Sequence, residues 1–321
     1  MRADQINALL ESDFQKYTQT LYEAVDSGTE FLNSINEFVL QKKGKELRPR
    51  LALLAARICG TPNSVSYDVA AAGQILHTAT LMHDDVVDNA LIRHGVPTLC
   101  AQYSSGAAVL VGDFWLSRAL SLLNKSFRKE ILEIFSLSVA KLSEGELIQM
   151  HKAETADTSV SDYYKIIEYK TSSLFVSCMK GGANSVNAEE AQVEAVSNYA
   201  LHLGNAFQIR DDILDYTPSL DTGKPAGLDI KEKKITLPLL CAFKNNPSKE
   251  QEIRELIKSG APEKISSEVM KFVEESGGIA LADKCLKEES RLAVEALSIF
   301  SESKEKEALT FYANYVGSRE V

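Results

Sequence analysis

The chain has 321 residues, 45% hydrophobic and 25% charged, the balance of a folded protein long enough to bury a large core. Proline (8) and glycine (17) are scarce, which favours helix and speaks against an all-β sandwich, a collagen-like chain or disorder. Asp and Glu outnumber Lys and Arg by 45 to 35, a formal charge of −10, the wrong sign for a non-specific nucleic-acid binder.

In chain order, apolar residues at helical spacing predict helices over residues 47–59, 67–90, 104–123, 129–150, 161–181, 188–216, 236–244, 266–276, 279–300 and 304–316. Pro49 falls near a helix start, where the first turn tolerates it. Ser161 ahead of Asp162, and Asn187 ahead of Glu189 and Glu190, read as N-terminal signatures. Gly60, Gly181-Gly182 and Gly277-Gly278 sit at the expected stops. The longest irregular stretch, 217–234, carries Pro218, Gly223, Pro225 and Gly227, and such length is uncommon unless functional. The reading is one all-α domain over residues 1–321, with a split near Gly181-Gly182 as the alternative. Five dispersed cysteines (Cys59, Cys100, Cys178, Cys241, Cys285) form no C-x-x-C pair and read as reduced thiols of a cytoplasmic protein. The N-terminus lacks the basic flank and apolar run of a signal peptide. No uninterrupted apolar run reaches about 18 residues, so no transmembrane segment is expected.

Two segments carry the same acidic signal. Asp84-Asp85-Val-Val-Asp88 and Asp211-Asp212-Ile-Leu-Asp215 each end an apolar helical run. A shift of 127 residues overlays Leu76 on Leu203 and Ala79 on Ala206, as expected of two matching helices facing each other. On a helix Asp84 and Asp88 lie about 40° apart and Asp85 about 60° further round, so three carboxylates share a face. Like charges at this spacing oppose one another, and carboxylates near a helix C-terminus oppose the macrodipole. A hard divalent cation compensates both, and Mg²⁺ binds through one or two carboxylates plus substrate phosphates. A solvated acidic face is the bland alternative, but solvated faces are not preceded by nine mostly apolar residues.

Basic residues supply the counterpart. Lys45 and Arg48, in Gly44-Lys-Glu-Leu-Arg-Pro49, stand at a helix start, where free N–H groups and the guanidinium favour anions. Arg93 lies five residues after Asp88, within reach of the same pocket. Lys170-Thr171 sits mid-helix, and Lys224, Lys231, Lys233 and Lys234 populate the long loop. His77 lies two turns before Asp84 on the same face. His83-Asp84 raises a His-Asp metal phosphohydrolase, but no histidine precedes His77 to complete that set.

In combination these motifs resemble the all-trans polyprenyl diphosphate synthases. The resemblance runs from about Gly44 to Pro238: Gly-Lys-x-x-Arg-Pro, the paired acidic helices, Lys170-Thr171, Phe207-Gln208-Ile209, the loop from Gly223 to Asp229, and Thr236-Leu-Pro238. It implies an isoprenoid-synthase fold, one large bundle of antiparallel helices around a deep central cavity, assembled as a homodimer. It implies Mg²⁺ held by Asp84, Asp85 and Asp88 and by Asp211, with Asp212 and Asp215 nearby. It assigns Arg93, Lys170, Thr171, Gln208, Lys224 and Lys234 to an allylic diphosphate, and Lys45, Arg48 and His77 to isopentenyl diphosphate. His94 replaces the family's second arginine at that substrate.

The implied reaction ionises the allylic diphosphate, adds isopentenyl diphosphate to the resulting cation and loses a proton, with no side-chain nucleophile. Short-chain members place aromatic residues just before the first acidic motif. Here Ala79 and Thr80 are small and Leu76 lies below them, with Phe135 as a lower floor. The expected product is long, about six to eight isoprene units, of the kind that forms a quinone side chain. A terpene cyclase and a non-catalytic partner subunit are the alternatives. The second Asp-rich motif argues against a cyclase, and retention of nearly all the motif residues argues against a silent subunit.

Overall fold

The computed structural model describes residues 1–41, 44–93, 95–126, 128–217, 227–260 and 262–318. Among these the chain is helical apart from one two-stranded antiparallel hairpin, β1 (Ile92–Arg93) with β2 (Val96–Pro97), in agreement with the all-α expectation. The helices are α1 (Ala3–Val25), α2 (Glu30–Leu40), α3 (Leu47–Cys59), α4 (Ser64–Val87), α5 (Leu99–Gln102), α6 (Ser105–Lys125), α7 (Lys129–Thr155) and α8 (Val160–Ile167). They continue as α9 (Ser173–Ser185), α10 (Glu190–Asp215), α11 (Leu228–Lys231), α12 (Leu237–Asn245), α13 (Glu250–Ser259), α14 (Pro262–Glu275), α15 (Gly278–Ala296) and α16 (Lys304–Ser318). Two compact units divide the chain: Met1–Ser136 with Ser177–Val196 and Glu302–Ala308, and Leu137–Val176 with Ser197–Ser301 and Leu309–Val321. One boundary between the units falls between Val176 and Ser177, shortly before Gly181 and Gly182.

In the first unit α4 packs against α1, α3 and α6. Its small residues Ala70, Ala71 and Ala72 are fully buried beside Val69, Ile75 and Leu76. Gly73 admits the Cys178 thiol where a Cβ would collide with it, and Gly182 admits the Ala52 carbonyl in the same way. No element was expected before residue 47, yet α1 and α2 are there. Ile6, Leu10, Tyr17 and Leu21 form a buried stripe on α1, interrupted by Asp13. Asp13 is satisfied at long range, accepting from Arg57 Nη1 at 2.8 Å and from the Tyr67 hydroxyl at 2.9 Å.

Helix α6 is long and apolar enough to cross a membrane by length and composition, with mean hydropathy 1.4 over 18 residues. Asp113 and Arg118 interrupt its apolar run. The helix buries Val111, Trp115 and Leu123, and the Trp115 indole donates to Asn36 Oδ1 at 2.8 Å.

In the second unit α12 packs on α14, α15 and α8, and Gly278 admits the Pro238 carbonyl. The helix expected over 161–181 is three pieces: α8, a π-helical turn at Glu168–Ser172, and α9. Its N-cap is Ser159 rather than Ser161. Asp162 completes a capping box with Ser159, accepting from its backbone N–H at 3.0 Å while the Ser159 hydroxyl accepts from Asp162 N at 3.1 Å. Part of the stretch expected to be irregular is helical, since α11 lies within it.

Candidate active site

The first acidic motif ends α4. Asp84 and Asp85 lie in the last turn and Asp88 is the C-cap. Asn89 turns the chain in the left-handed region, φ 50°, and the hairpin follows. Thr98 ties that hairpin to the helix end, its hydroxyl donating to Ala90 O at 2.7 Å. The turn returns Arg93 to the motif, where its Nε donates to Asp85 Oδ1 at 2.7 Å. Asp85 is buried, Asp84 half-buried and Asp88 exposed.

Arg48 stands in the first turn of α3, after Glu46 in the left-handed region, φ 48°. The Tyr17 hydroxyl holds Glu46, donating to Oε1 at 2.9 Å. Lys45, just before it, is exposed. His77 is kept neutral well below the ordinary imidazole range, first by burial, then by the positive charges of Arg48 and Arg93. The first unit therefore gathers Arg48, His77 and Arg93 into one electropositive neighbourhood, and Arg93 also pairs with Asp85. His83 directs Nε2 at Asp113 Oδ1, 3.3 Å away.

The second acidic motif ends α10 in the other unit. Asp215 caps α11: its Oδ1 accepts from Leu228 N at 3.0 Å and its Oδ2 from Asp229 N at 3.1 Å. Gly227 makes that turn with φ +77°, a left-handed conformation that a side chain would strain. Asp212 is buried and accepts on both oxygens, from Gln208 Nε2 at 2.9 Å and from the Tyr163 hydroxyl at 2.6 Å. Gln208 Oε1 accepts from the Thr171 hydroxyl at 2.8 Å. Lys170 pairs with Glu146 at 2.5 Å. Asp211 is exposed. A cavity of about 100 Å³ is lined by Lys170, Thr171, Gln208, Asp212, Asp229 and Lys234, among others. Five residues expected from sequence to bind diphosphate or metal therefore share one pocket with Asp229.

Lys170 and Thr171 lie in the π turn, a geometry that appears mostly at functional sites. Two glycines hold it. A Cβ at Gly145 of α7 would stand 3.0 Å from Lys170 N, and one at Gly204 of α10 would stand 2.7 Å from Ser172 Cα.

Burial raises the affinity of Asp212 for a proton, and the nearby Asp229 carboxylate raises it further. Asp229 is raised likewise, by burial and then by Asp215, while Lys234 opposes the shift. A divalent cation at the neighbouring Asp211 would relieve this crowding, and hard carboxylate oxygens fit Mg²⁺. Among the described residues no three His, Cys, Asp or Glu side chains close into a ready metal cage. An ion held by one or two carboxylates plus substrate phosphate needs none.

Leu76, Ala79 and Phe135 are all buried in the first unit, and Thr80 is half-buried with its hydroxyl on His77 O at 2.9 Å. Phe135 reaches both Gly73 and Gly181. His94 and Lys224 lie outside the described residues. Tyr163, Glu146, Gly145 and Gly204 were not anticipated. Tyr163 precedes Lys170 by seven residues, two turns on one face, and that spacing was the available signal. Glu146 and the two glycines had none, because their partners are distant in sequence.

A family model described as polyprenyl synthetase matches residues 29–275. The chain is 39% identical to the all-trans-nonaprenyl-diphosphate synthase (geranyl-diphosphate specific) of Rhodobacter capsulatus, over 95% of this chain and 94% of that protein. It is 36% identical to the octaprenyl diphosphate synthase of Haemophilus influenzae, over 96% and 94%. Its fold matches a polyprenyl synthase from Caulobacter crescentus, crystallised with calcium and isoprenyl diphosphate, at TM-score 0.91 and 32% identity, covering 100% of this chain and 98% of that one. The chain belongs to the polyprenyl synthetase family.

Proposed function

We propose that this prenyltransferase condenses isopentenyl diphosphate with an allylic diphosphate, repeatedly and head to tail, to make a long all-trans polyprenyl diphosphate. The observation that carries the reading is the second-unit cavity. Lys152, Lys170 and Lys234, a threonine hydroxyl and a glutamine amide line it together with buried carboxylates, which is the donor set of a metal-assisted diphosphate site. The chain lengths named for the Rhodobacter and Haemophilus relatives support a long product.

Asp84 and Asp88 on one helix end and Asp211 on the other are the residues proposed to hold Mg²⁺. Asp85 accepts from Arg93, Asp212 from Tyr163 and Gln208, and Asp215 from the α11 backbone. Bound Mg²⁺ supplies charge neutralisation of the leaving diphosphate. The chain's own residues do the rest. Lys170, Thr171, Gln208 and Lys234, with Lys224 and Arg93, orient the allylic diphosphate. Lys45, Arg48 and neutral His77, with His94, orient isopentenyl diphosphate. Holding the two carbon centres in line lowers the barrier by positioning, so no nucleophilic side chain is needed.

Self-association is part of the proposal. The outer side of α6 exposes Val109, Leu110 and Leu120, with Leu110 70% exposed, and a second copy of this chain would cover them. A cytoplasmic location is proposed on the strength of five free thiols. The test is release of inorganic diphosphate that requires Mg²⁺ and both substrates. It is expected in the wild type and lost by orders of magnitude in Asp84→Ala and Asp211→Ala at unchanged helical circular dichroism. Release from either substrate alone, or normal turnover in both variants, contradicts the proposal.

A further inference from the structure

The second acidic motif is reached by a continuous hydrogen-bonded relay. The buried Tyr163 hydroxyl donates to Asp212 Oδ2 at 2.6 Å, Gln208 Nε2 donates to Asp212 Oδ1 at 2.9 Å, and the Thr171 hydroxyl donates to Gln208 Oε1 at 2.8 Å. Each link has a fixed sense. Gln208 presents its nitrogen to Asp212, which leaves the amide oxygen for Thr171. The amide nitrogen carries two hydrogens, and the second is available to a diphosphate oxygen in the cavity that Gln208 and Thr171 line. Removing the Tyr163 hydroxyl would leave Asp212, buried at 3% exposure, with one oxygen lacking its donor. The carboxylate would then turn towards another donor, and the order of the relay would be lost.

We propose that Tyr163 is a positioning residue for the allylic diphosphate. Its hydroxyl is committed to Asp212, and it acts through Asp212 and Gln208 on the Thr171 hydroxyl. This rests on the synthase reading above, and it places Asp212 as an anchor of the diphosphate-binding side chains.

Tyr163→Phe removes one oxygen and keeps the ring. The Michaelis constant for the allylic substrate is expected to rise about ten- to a hundred-fold, the range for a hydrogen bond to a charged group. That for isopentenyl diphosphate should stay within about twofold, because no member of the relay is assigned to that substrate. Mg²⁺-dependent binding of inorganic pyrophosphate, read by calorimetry, should weaken with the allylic constant. In the double variant with Thr171→Val the two losses should be less than additive, since both break one relay. Equal rises in both Michaelis constants, unchanged pyrophosphate binding, or additive losses would overturn the proposal. If Tyr163→Phe does not fold, 3-fluorotyrosine at position 163 keeps the hydroxyl. Its fluorine resonance should shift when Mg²⁺ and pyrophosphate are added, and an unmoved resonance overturns the proposal. A wild type that binds pyrophosphate but condenses no isoprenyl diphosphates contradicts the synthase reading instead, and the calorimetric comparison still decides the role of Tyr163.

Discussion

Arg93 Nε donates to Asp85 Oδ1 at 2.7 Å, so the acidic end of α4 carries a counter-charge delivered by the hairpin that follows it. Asp85 is 7% exposed, while the guanidinium is about one-third exposed and partly screened by solvent. Arg93→Ala should therefore destabilise the fold by about 1–2 kcal/mol, less than for a fully buried pair. Adding Asp85→Asn should recover much of that loss by removing the stranded charge. Denaturant unfolding of the two variants decides it, and an Arg93→Ala chain as stable as wild type would remove the pair as a support of the motif.

His77 gives the protein an acid sensitivity with a definite sign. Burial and the charges of Arg48 and Arg93 hold its folded-state proton affinity well below the ordinary value, so the unfolded chain binds the proton more readily. The stability His77 contributes is full above about pH 6.5 and is lost as pH falls from there through the folded-state value. His77→Gln should flatten the fall in melting temperature between about pH 7 and pH 5. Parallel curves for the variant and wild type would show that His77 is not held neutral by these neighbours.

The bounds of α3 could be read from its apolar run, which starts near Pro49, stops before Gly60 and is buried all round from Leu51 to Ala56. The acidic motifs and Lys170-Thr171 were legible for a different reason: charged residues in apolar surroundings are locally unfavourable, and the chemistry that compensates them is limited. Helix α1 was missed where buried Asp13 interrupts its stripe, since the partners that make this tolerable, Arg57 and Tyr67, lie more than 40 residues away. The π turn was illegible because close approach by Gly145 and Gly204 shapes it, and nothing in Glu168–Ser172 itself does so.

That close approach can be tested. A methyl group at Gly204 would meet Ser172 Cα at 2.7 Å, a backbone contact that cannot swing aside. Gly204→Ala should cost about 1–3 kcal/mol as overpacking. Because the displaced turn carries Lys170 and Thr171, binding of the allylic diphosphate should weaken more than binding of isopentenyl diphosphate. Unfolding midpoints and the two Michaelis constants, measured together, check this. A variant with normal stability and normal constants would show that the turn does not depend on the glycine.

The length of the product should answer to the buried residues beneath the first acidic motif. Ala79 is 1% exposed and Phe135 fully buried. Ala79→Phe places a ring one turn below Asp84 and should shorten the product sharply, at an overpacking cost of about 1–3 kcal/mol. Phe135→Leu should lengthen it while sparing most of the core. Product distributions unchanged in both variants would make these residues ordinary packing.

The central claim is chain elongation to a long product. Wild-type protein incubated with Mg²⁺, farnesyl diphosphate and excess labelled isopentenyl diphosphate, with the products separated by length, tests it most directly. An all-trans series ending well beyond geranylgeranyl diphosphate, at about six to eight units, is expected, with no product after chelation of the metal. A reaction that stops at geranylgeranyl diphosphate, a cyclic hydrocarbon product, or no incorporation at all would contradict it.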